Sequence, residues 1–348
     1  MINPIKTGIA SFGMSGYVFH APLLHVNDGF TIKSIVERNN SNSKEKYSYA
    51  KIVKSFDELC NDKDLELIIV NVPDSLHFEY SKKALLAGKH VVVEKPLTQK
   101  SDQADDLIHL AKKKGLILSV FQNRRWDSDF ITIQHLIRDK TLGRLVDYEA
   151  HFDRYRNFID KNTWKETAEA GAGIFYNLGS HLIDQALVLF GLPKTVFANI
   201  RRIRPNSAIN DNFTLILTYP ELNVTLKASY LVREPGPRYL IHGSEGSYLK
   251  WGIDPQEQDL KDGIMPEGKD WGKEDDEDWG TLNTNFGDDH FEGELESING
   301  DYPAFYKNIY EAIREDAELS VKPQEAANVI RIIEAAFLSD KEGRVVEL

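Results

Sequence analysis

The sequence predicts an α/β chain in two parts: an N-terminal doubly wound parallel sheet, then a C-terminal α+β domain with an open, mostly antiparallel sheet. Three observations carry this. The chain has 348 residues, 41% of them hydrophobic, which is more than one compact core usually absorbs. From Lys6 to Phe121 short β-rich runs alternate with helical patterns, and the runs are apolar almost throughout, as strands covered on both faces must be. After Arg125 that alternation stops and closely spaced, turn-linked strand runs take over.

In the first part the expected strands are Lys6–Ala10, Thr31–Val36, Leu65–Val72, His90–Glu94 and Leu116–Val120. The segments between them are long enough for right-handed helical crossovers. Ser55 and Glu58 have the spacing of a capping box ahead of a short helix Phe56–Cys60, Ser101 opens a helix ending at Lys114, and Gly88 and Gly115 stand where helices stop. In the second part a helix around Phe130–Arg138 leads into a strand whose Val146, Tyr148, Ala150 and Phe152 share one face. A helix of roughly Ile174–Phe190 follows, then strand runs at Val196–Ile203, Phe213–Tyr219, Val224–Val232, Tyr239–His242 and Ser247–Trp251. Gln256–Gly300 is rich in Asp, Glu and Gly and shows no steady period, so it reads as a long surface excursion. Helices at Tyr302–Asp316 and Pro323–Asp340 close the chain, the last apolar enough to be expected to pack back on the first domain. The expected division is residues 1–123 and 124–348.

The formal charge of −12 gives no field to attract phosphate backbones, and no window combines Lys and Arg with aromatic residues. Nucleic acid is not an expected partner. Apolar runs such as Leu67–Val72 are far shorter than a bilayer span, and Met1–Lys6 lacks a charged-then-apolar leader, so no membrane is expected and the protein is placed in the cytoplasm. Cys60 is the single cysteine. That excludes an internal disulfide and a thiolate metal site, and Cys60 reads as core.

The first strand runs into Ser11-Phe12-Gly13-Met14-Ser15-Gly16, which opens a helix. This is the strand-turn-helix context of a phosphate-binding loop. Gly13 stands where backbone must approach a pyrophosphate and Gly16 where helix must pack on strand, with Phe12, Met14 and Ser15 completing the loop; Ser11 replaces the usual first glycine. An ordinary glycine turn is the alternative. At the end of the second strand, Glu37 would accept ribose hydroxyls and favour NAD, whereas Arg38 would clamp a 2′-phosphate and favour NADP, or stack on adenine. Either could instead be a solvated charge at a strand end.

The next strands end in Asn71-Val72-Pro73, Glu94-Lys95-Pro96 and Phe121-Gln122-Asn123-Arg124-Arg125. Their carboxyl edge is where open α/β sheets bind ligands. A lysine directly after a buried strand is unusual, and the ammonium of Lys95 could stabilise an alkoxide formed as hydride leaves carbon. A surface pair with Glu94 is the other reading. On the helix from Ile174, Asn177, His181 and Asp184 fall on one face by their spacing, and His181 is suited to accept a hydroxyl proton. A satisfied structural histidine is equally consistent with that local sequence. No metal is expected, because no second histidine or carboxylate cluster has ligand spacing and oxidation of an alcohol by hydride transfer needs none.

With these residues in view the chain resembles the glucose–fructose oxidoreductase, inositol dehydrogenase and rhizopine-catabolism family of NAD(P)-dependent oxidoreductases. The resemblance rests on Gly13–Gly16, Gly88–Pro96, Asn123–Asp127 and Leu178–Gln185. Phe19–Pro22, Asn123–Phe130 and Tyr239–Gly243 are most similar to the subgroup with NADP-dependent scyllo-inositol dehydrogenases. The resemblance implies a Rossmann domain followed by an α+β domain whose open sheet commonly makes a dimer interface, with the nicotinamide between the two. It also implies Lys95 as catalytic lysine, Glu94 as a cofactor-contacting acid, Pro96 as a cis-proline and His181 as the histidine beside the lysine. Asn177 departs from the aspartate common at its position, and an amide orients His181 without stabilising its charged form as a carboxylate would.

The function expected is interconversion of a secondary alcohol and ketone on a cyclic polyol, inositol or sugar, scyllo-inositol among them, with NADP or NAD. Lys95 and His181 would manage the proton; Asn123, Tyr155, Arg156 and Asn177 are candidate substrate contacts. A homo-oligomer, dimer or tetramer, is expected from the resemblance. Two other readings compete: a glycosidase that uses NAD transiently, and a non-catalytic dinucleotide-binding regulator. Retention of Lys95 and His181 argues against the regulator.

Overall fold

The computed structural model describes residues 3–160, 166 and 171–348. The chain forms two compact units. The first comprises residues 1–126, 255–271 and 301–327, and the second 127–254, 272–300 and 328–348. The boundary expected at 123/124 thus falls three residues later, and the chain returns twice to the first unit.

The first unit holds a six-stranded sheet of β1 (Ile5–Ile9), β2 (Phe30–Val36), β3 (Lys51–Val53), β4 (Leu67–Val70), β5 (His90–Val93) and β6 (Leu118–Val120). All pairs are parallel and the spatial order is β3-β2-β1-β4-β5-β6, the doubly wound order with its reversal beside β1. The continuous apolar runs have the expected cause: all four residues of β4 are fully buried, since helices cover both faces. The sequence reading missed β3, whose three residues are too few to show a period.

The helices are α1 (Ala21–His25), α2 (Ser43–Lys46), α3 (Phe56–Asn61), α4 (His77–Leu86) and α5 (Ser101–Lys114). Ser55 Oγ accepts the Glu58 amide at 3.3 Å while Glu58 accepts the Lys54 amide at 3.0 Å, so the expected cap forms with its return bond one residue early. Gly115 ends α5 with φ 63°, the left-handed stop common at helix C-termini. Cys60 is buried in this core, and burial pushes its thiol up to about 11.

The reading of Gln256–Gly300 as a surface excursion is corrected. Gln256 opens α8 (Gln256–Lys261) and is fully buried. Its side chain donates to the Trp126 carbonyl at 2.9 Å and accepts from Trp271 Nε1 at 2.8 Å and the Tyr302 amide at 2.7 Å. It thereby pins both returning segments to the first unit. Further along, Gly280–Phe286 (β13) and Asp289–Leu295 (β14) form a hairpin. α9 (Pro303–Arg314) buries Phe305, Tyr306 and Ile309 in the core of the first unit.

The second unit contains α6 (Ser128–Arg138), β7 (Leu145–His151), α7 (Ser180–Phe190), β8 (Thr195–Arg201), β9 (Asn212–Thr218), β10 (Asn223–Ser229), β11 (Tyr239–Gly243) and β12 (Gly246–Lys250). It also takes most of α10 (Pro323–Glu342) and β15 (Val346–Glu347). The expected packing of that helix on the first domain is corrected, since Val329, Ile332, Ile333 and Ala336 lie in the second core and only Ala326 and Ala327 in the first. Nine strands follow the order β14-β13-β12-β11-β7-β10-β9-β8-β15, antiparallel except for β10 beside β7. β9 alternates strictly between buried and half-buried residues, as a sheet with one core face requires. Among the described residues no helix is long and apolar enough to cross a membrane.

Candidate active site

Strand β1 ends in a loop held from the side. Asn71, directly after β4, accepts the Ser11 amide at 3.0 Å and donates to the Ser11 carbonyl at 2.7 Å. The Gly13 amide donates to Ser11 Oγ at 3.2 Å, so Ser11 closes the turn with its own hydroxyl where a first glycine would relax it. A Cβ on Gly16 would lie 2.2 Å from the Ser11 carbonyl oxygen and 2.9 Å from Asn71 Nδ2, whereas one on Gly13 would meet nothing nearer than Ser11 Oγ at 3.5 Å. Gly16 is therefore demanded by the fold, and Gly13 leaves open backbone at the start of the helix, the arrangement a pyrophosphate needs. Phe12 and Ser15 are half-buried and Met14 is exposed. The helix then winds as a π-turn over Gly16–His20 before becoming α1, a distortion frequent at functional sites.

The two residues at the end of β2 part company. Glu37 is buried and its carboxylate accepts the amides of Asn42 at 2.8 Å and Ser43 at 3.1 Å, together with the Ser43 hydroxyl. Arg38 is exposed and lines a cleft of about 300 Å³ with Lys54, Ser55 and Tyr80. Lys54 reaches the Glu37 carbonyl at 3.1 Å. The cleft is also lined by Lys83, which is ion-paired with Asp57, so Arg38 and Lys54 are the cations, and Ser55 a hydroxyl, that a phosphate could meet there.

At the ends of β4, β5 and β6 stand exposed Pro73, half-buried Glu94 and Lys95, and buried Asn123, on one carboxyl edge. The Lys95–Pro96 peptide bond is cis. Glu94 accepts the Lys95 amide at 3.1 Å through Oε2 and is bonded at 3.1 Å to His20 Nε2 through Oε1. Burial pushes the Glu94 carboxyl up, but the His20 hydrogen bond and the neighbouring Lys95 and His77 outweigh it and hold the group below the usual carboxylate range. Fully buried His77 has Nδ1 2.6 Å from the Pro96 carbonyl and Nε2 2.9 Å from the Val72 carbonyl; burial pulls its pKa down, and the neutral ring donates to one of the two. Sequence reasoning passed over His20, His77 and Tyr306 as site-forming residues. The first two had a signal, since each lies within a few residues of the ligand edge in the chain; Tyr306 had none.

In the second unit Asn177 lies in a π-turn Phe175–Gly179 that runs into α7, which carries His181 and Asp184. Asn177 is half-buried and His181 and Asp184 are buried. The helix expected at roughly Ile174–Phe190 thus forms, with its first turn wound as a π-turn. Tyr155 is exposed, with Arg233 donating to its hydroxyl at 2.7 Å and stacked 4.4 Å from its ring centre. Arg156 is exposed and stands 5.5 Å from the Tyr230 ring. Among the described residues no cluster of His, Cys, Asp and Glu is placed to hold a metal.

A parallel sheet in this order, with a glycine loop on β1 and a lysine at the edge of β5, defines a dinucleotide-dependent oxidoreductase. Comparison with known proteins agrees. Residues 5–122 match the NAD-binding Rossmann fold of an oxidoreductase family, and residues 134–348 match that family's C-terminal alpha/beta domain. The NADP-dependent scyllo-inositol 2-dehydrogenase IolW of Bacillus subtilis is 43% identical over all of this chain and 97% of its own. A protein of known structure from Bacteroides fragilis is 48% identical, covering 99% of this chain and 100% of its own with a TM-score of 0.93; YvaA of B. subtilis reaches 42%, 100% and 99% coverage, and 0.96. The chain belongs to this family of NAD(P)-dependent oxidoreductases, those named for glucose–fructose oxidoreductase and inositol dehydrogenase.

Proposed function

We propose that this protein interconverts a secondary hydroxyl and ketone on a cyclic polyol, with scyllo-inositol as the leading substrate and NADP as the preferred cofactor. The observation that carries the chemistry is Lys95 at the carboxyl end of a strand whose valines are fully buried, with its backbone amide held by Glu94. Full-length similarity to the inositol enzyme supports the substrate class.

The fit of a dinucleotide rests on the open backbone at Gly13 and on the cleft beside Arg38. Gly13–Gly16 and Phe12 would hold the pyrophosphate, Arg38 with Lys54 and Ser55 the 2′-phosphate, and Pro73, Glu94 and Asn123 the part nearer the nicotinamide. Because the Glu37 carboxylate is engaged by α2, Arg38 reads the ribose in this proposal, and NADP is favoured over NAD. The nicotinamide supplies hydride exchange. Lys95 donates a hydrogen bond to the substrate oxygen and steadies negative charge there, and His181 accepts the hydroxyl proton. Asn177 orients His181, and Tyr155 stands ready as a hydroxyl contact.

The experiment is direct. Purified protein is mixed with NADP or NAD and scyllo-inositol, myo-inositol or simple aldoses, and formation of reduced nicotinamide is followed. Reduction with an inositol and NADP is expected. Sugar release without net reduction, or tight NADPH binding with no turnover in either direction, would replace the proposal. A homo-oligomer in the cytoplasm completes the reading, with light scattering of the eluted protein as its check.

A further inference from the structure

His20, four residues beyond Gly16, is fully buried. Its Nδ1 lies 2.6 Å from the Tyr306 hydroxyl and its Nε2 3.1 Å from Glu94 Oε1. The ring packs against Phe121, with centroids 4.6 Å apart. Tyr306 comes from α9, after the chain has left the first unit and returned. We propose, on the reading of Lys95 given above, that His20 and Tyr306 are positioning residues for Glu94 and, through it, for the backbone at Lys95.

The hydrogen-bonding capacities of the groups assign the protons. A carboxylate only accepts, so Nε2–H donates to Glu94. In the neutral imidazole Nδ1 then carries the lone pair, and the Tyr306 hydroxyl donates to it. Every member of the chain is satisfied in one tautomer, and Glu94 Oε2 is left to accept the Lys95 amide. A proton relay is a poor account of the same residues. Tyr306 is fully buried, and burial pushes its hydroxyl far up, so a proton passed inward would reach no solvent. What the chain does is fix a carboxylate.

A buried carboxylate without donors is costly and tends to protonate. The groups facing Glu94 are His20 from the first helix, Lys95 beside it in the chain, His77 at the start of α4 and Tyr306 from α9. On the other side of Lys95, His77 is bonded to the Pro96 carbonyl at 2.6 Å. The residues flanking Lys95 thus each have a buried imidazole at hydrogen-bond distance, His20 for Glu94 and His77 for Pro96.

The test compares His20→Leu, His20→Gln and Tyr306→Phe with Lys95→Ala, using NADP and the polyol that gives turnover, with NADPH fluorescence titration as a readout that needs no substrate. Loss of one neutral hydrogen bond in Tyr306→Phe is expected to lower kcat about 3- to 10-fold. His20→Leu is expected to lower kcat by roughly 30-fold or more and to move the acidic limb of the kcat profile, or of NADPH affinity, upward by about one pH unit. His20→Gln keeps an N–H donor and should bring the limb back and recover most of the rate. If Leu and Gln are equally impaired, or fold less stably with the limb unmoved, His20 is structural and the inference falls. Should His20→Leu fail to fold, the Gln and Phe variants decide by the same limb and rate. A Lys95→Ala enzyme with undiminished turnover would instead overturn the reading of Lys95, whatever the histidine variants do.

Discussion

Glu37 accepts the Ser43 amide at 3.1 Å and the Ser43 hydroxyl with the same carboxylate oxygen, so the acid that ends β2 is turned inward onto the first turn of α2. Its neighbour Arg38 is left facing the cleft with Lys54 and Ser55. Arg38→Ala is accordingly expected to raise the KM for NADP about 10- to 100-fold, the worth of a charge-assisted hydrogen bond or two, while the KM for NAD changes little. Steady-state kinetics with each cofactor check this. Equal losses for both would return the ribose to Glu37.

Lys95→Ala is expected to lower kcat on the order of 100-fold, with NADPH affinity within a few-fold of the parent, because the ammonium acts on charge that develops during reaction. Single-turnover rates and fluorescence titration separate the two effects. An unchanged rate would remove Lys95 from the chemistry.

Gly16→Ala tests the loop. Its Cβ would sit 2.2 Å from the Ser11 carbonyl oxygen, and backbone there cannot yield without disturbing the Asn71 bonds. Overpacking of this kind costs about 1–3 kcal/mol, so a lower melting temperature and loss of dinucleotide binding are expected together. Gly13→Ala, with open space around its Cβ, should leave the melting temperature nearly unchanged and weaken only cofactor binding.

Asp129 gives a stability prediction. It is fully buried in the second unit, with Arg238 Nε 3.9 Å away. Burial, then the nearby Asp127, push its carboxyl up to about 7 against the pull of Arg238 and Lys250. A folded pKa above the unfolded value of about 3.9 means the native state keeps a proton that the unfolded chain releases. Stability is therefore lost as pH rises from about 4 towards 7, and the loss is constant above that. Asp129→Asn is expected to raise the melting temperature at pH 8, with the gain shrinking towards about pH 4. A lower melting temperature of the variant at that alkaline pH would show an ionised Asp129 paired with Arg238.

Much of the fold was legible because its signals are local. A strand buried on both faces must be apolar throughout, and β4 and β5 are nearly so; Ser55 caps α3 with its side chain, and Gly115 ends α5 in the left-handed conformation. The hairpin of β13 and β14 was missed although Gly287-Asp288 is a two-residue turn sequence. Gly287 has φ 66°, as such turns ask, but β14 is exposed along most of its length and studded with Asp289, Glu292 and Glu294. An edge strand protected by charge does not show an apolar period.

The site divides in the same way. The glycine loop and the place of Lys95 at the end of a buried strand follow from the sequence by itself, because each depends on residues close together in the chain; the order of the strands is a tertiary fact. Only the tertiary structure decided that Glu37 turns inward and Arg38 outward, since that depends on where α2 begins. It also decided that Tyr306, 286 residues from His20 in the chain, supplies the hydroxyl behind Glu94. Nothing near Tyr306 in sequence could show this, because the contact depends on a segment that returns to the first unit, where the Gln256 side chain holds the Tyr302 amide.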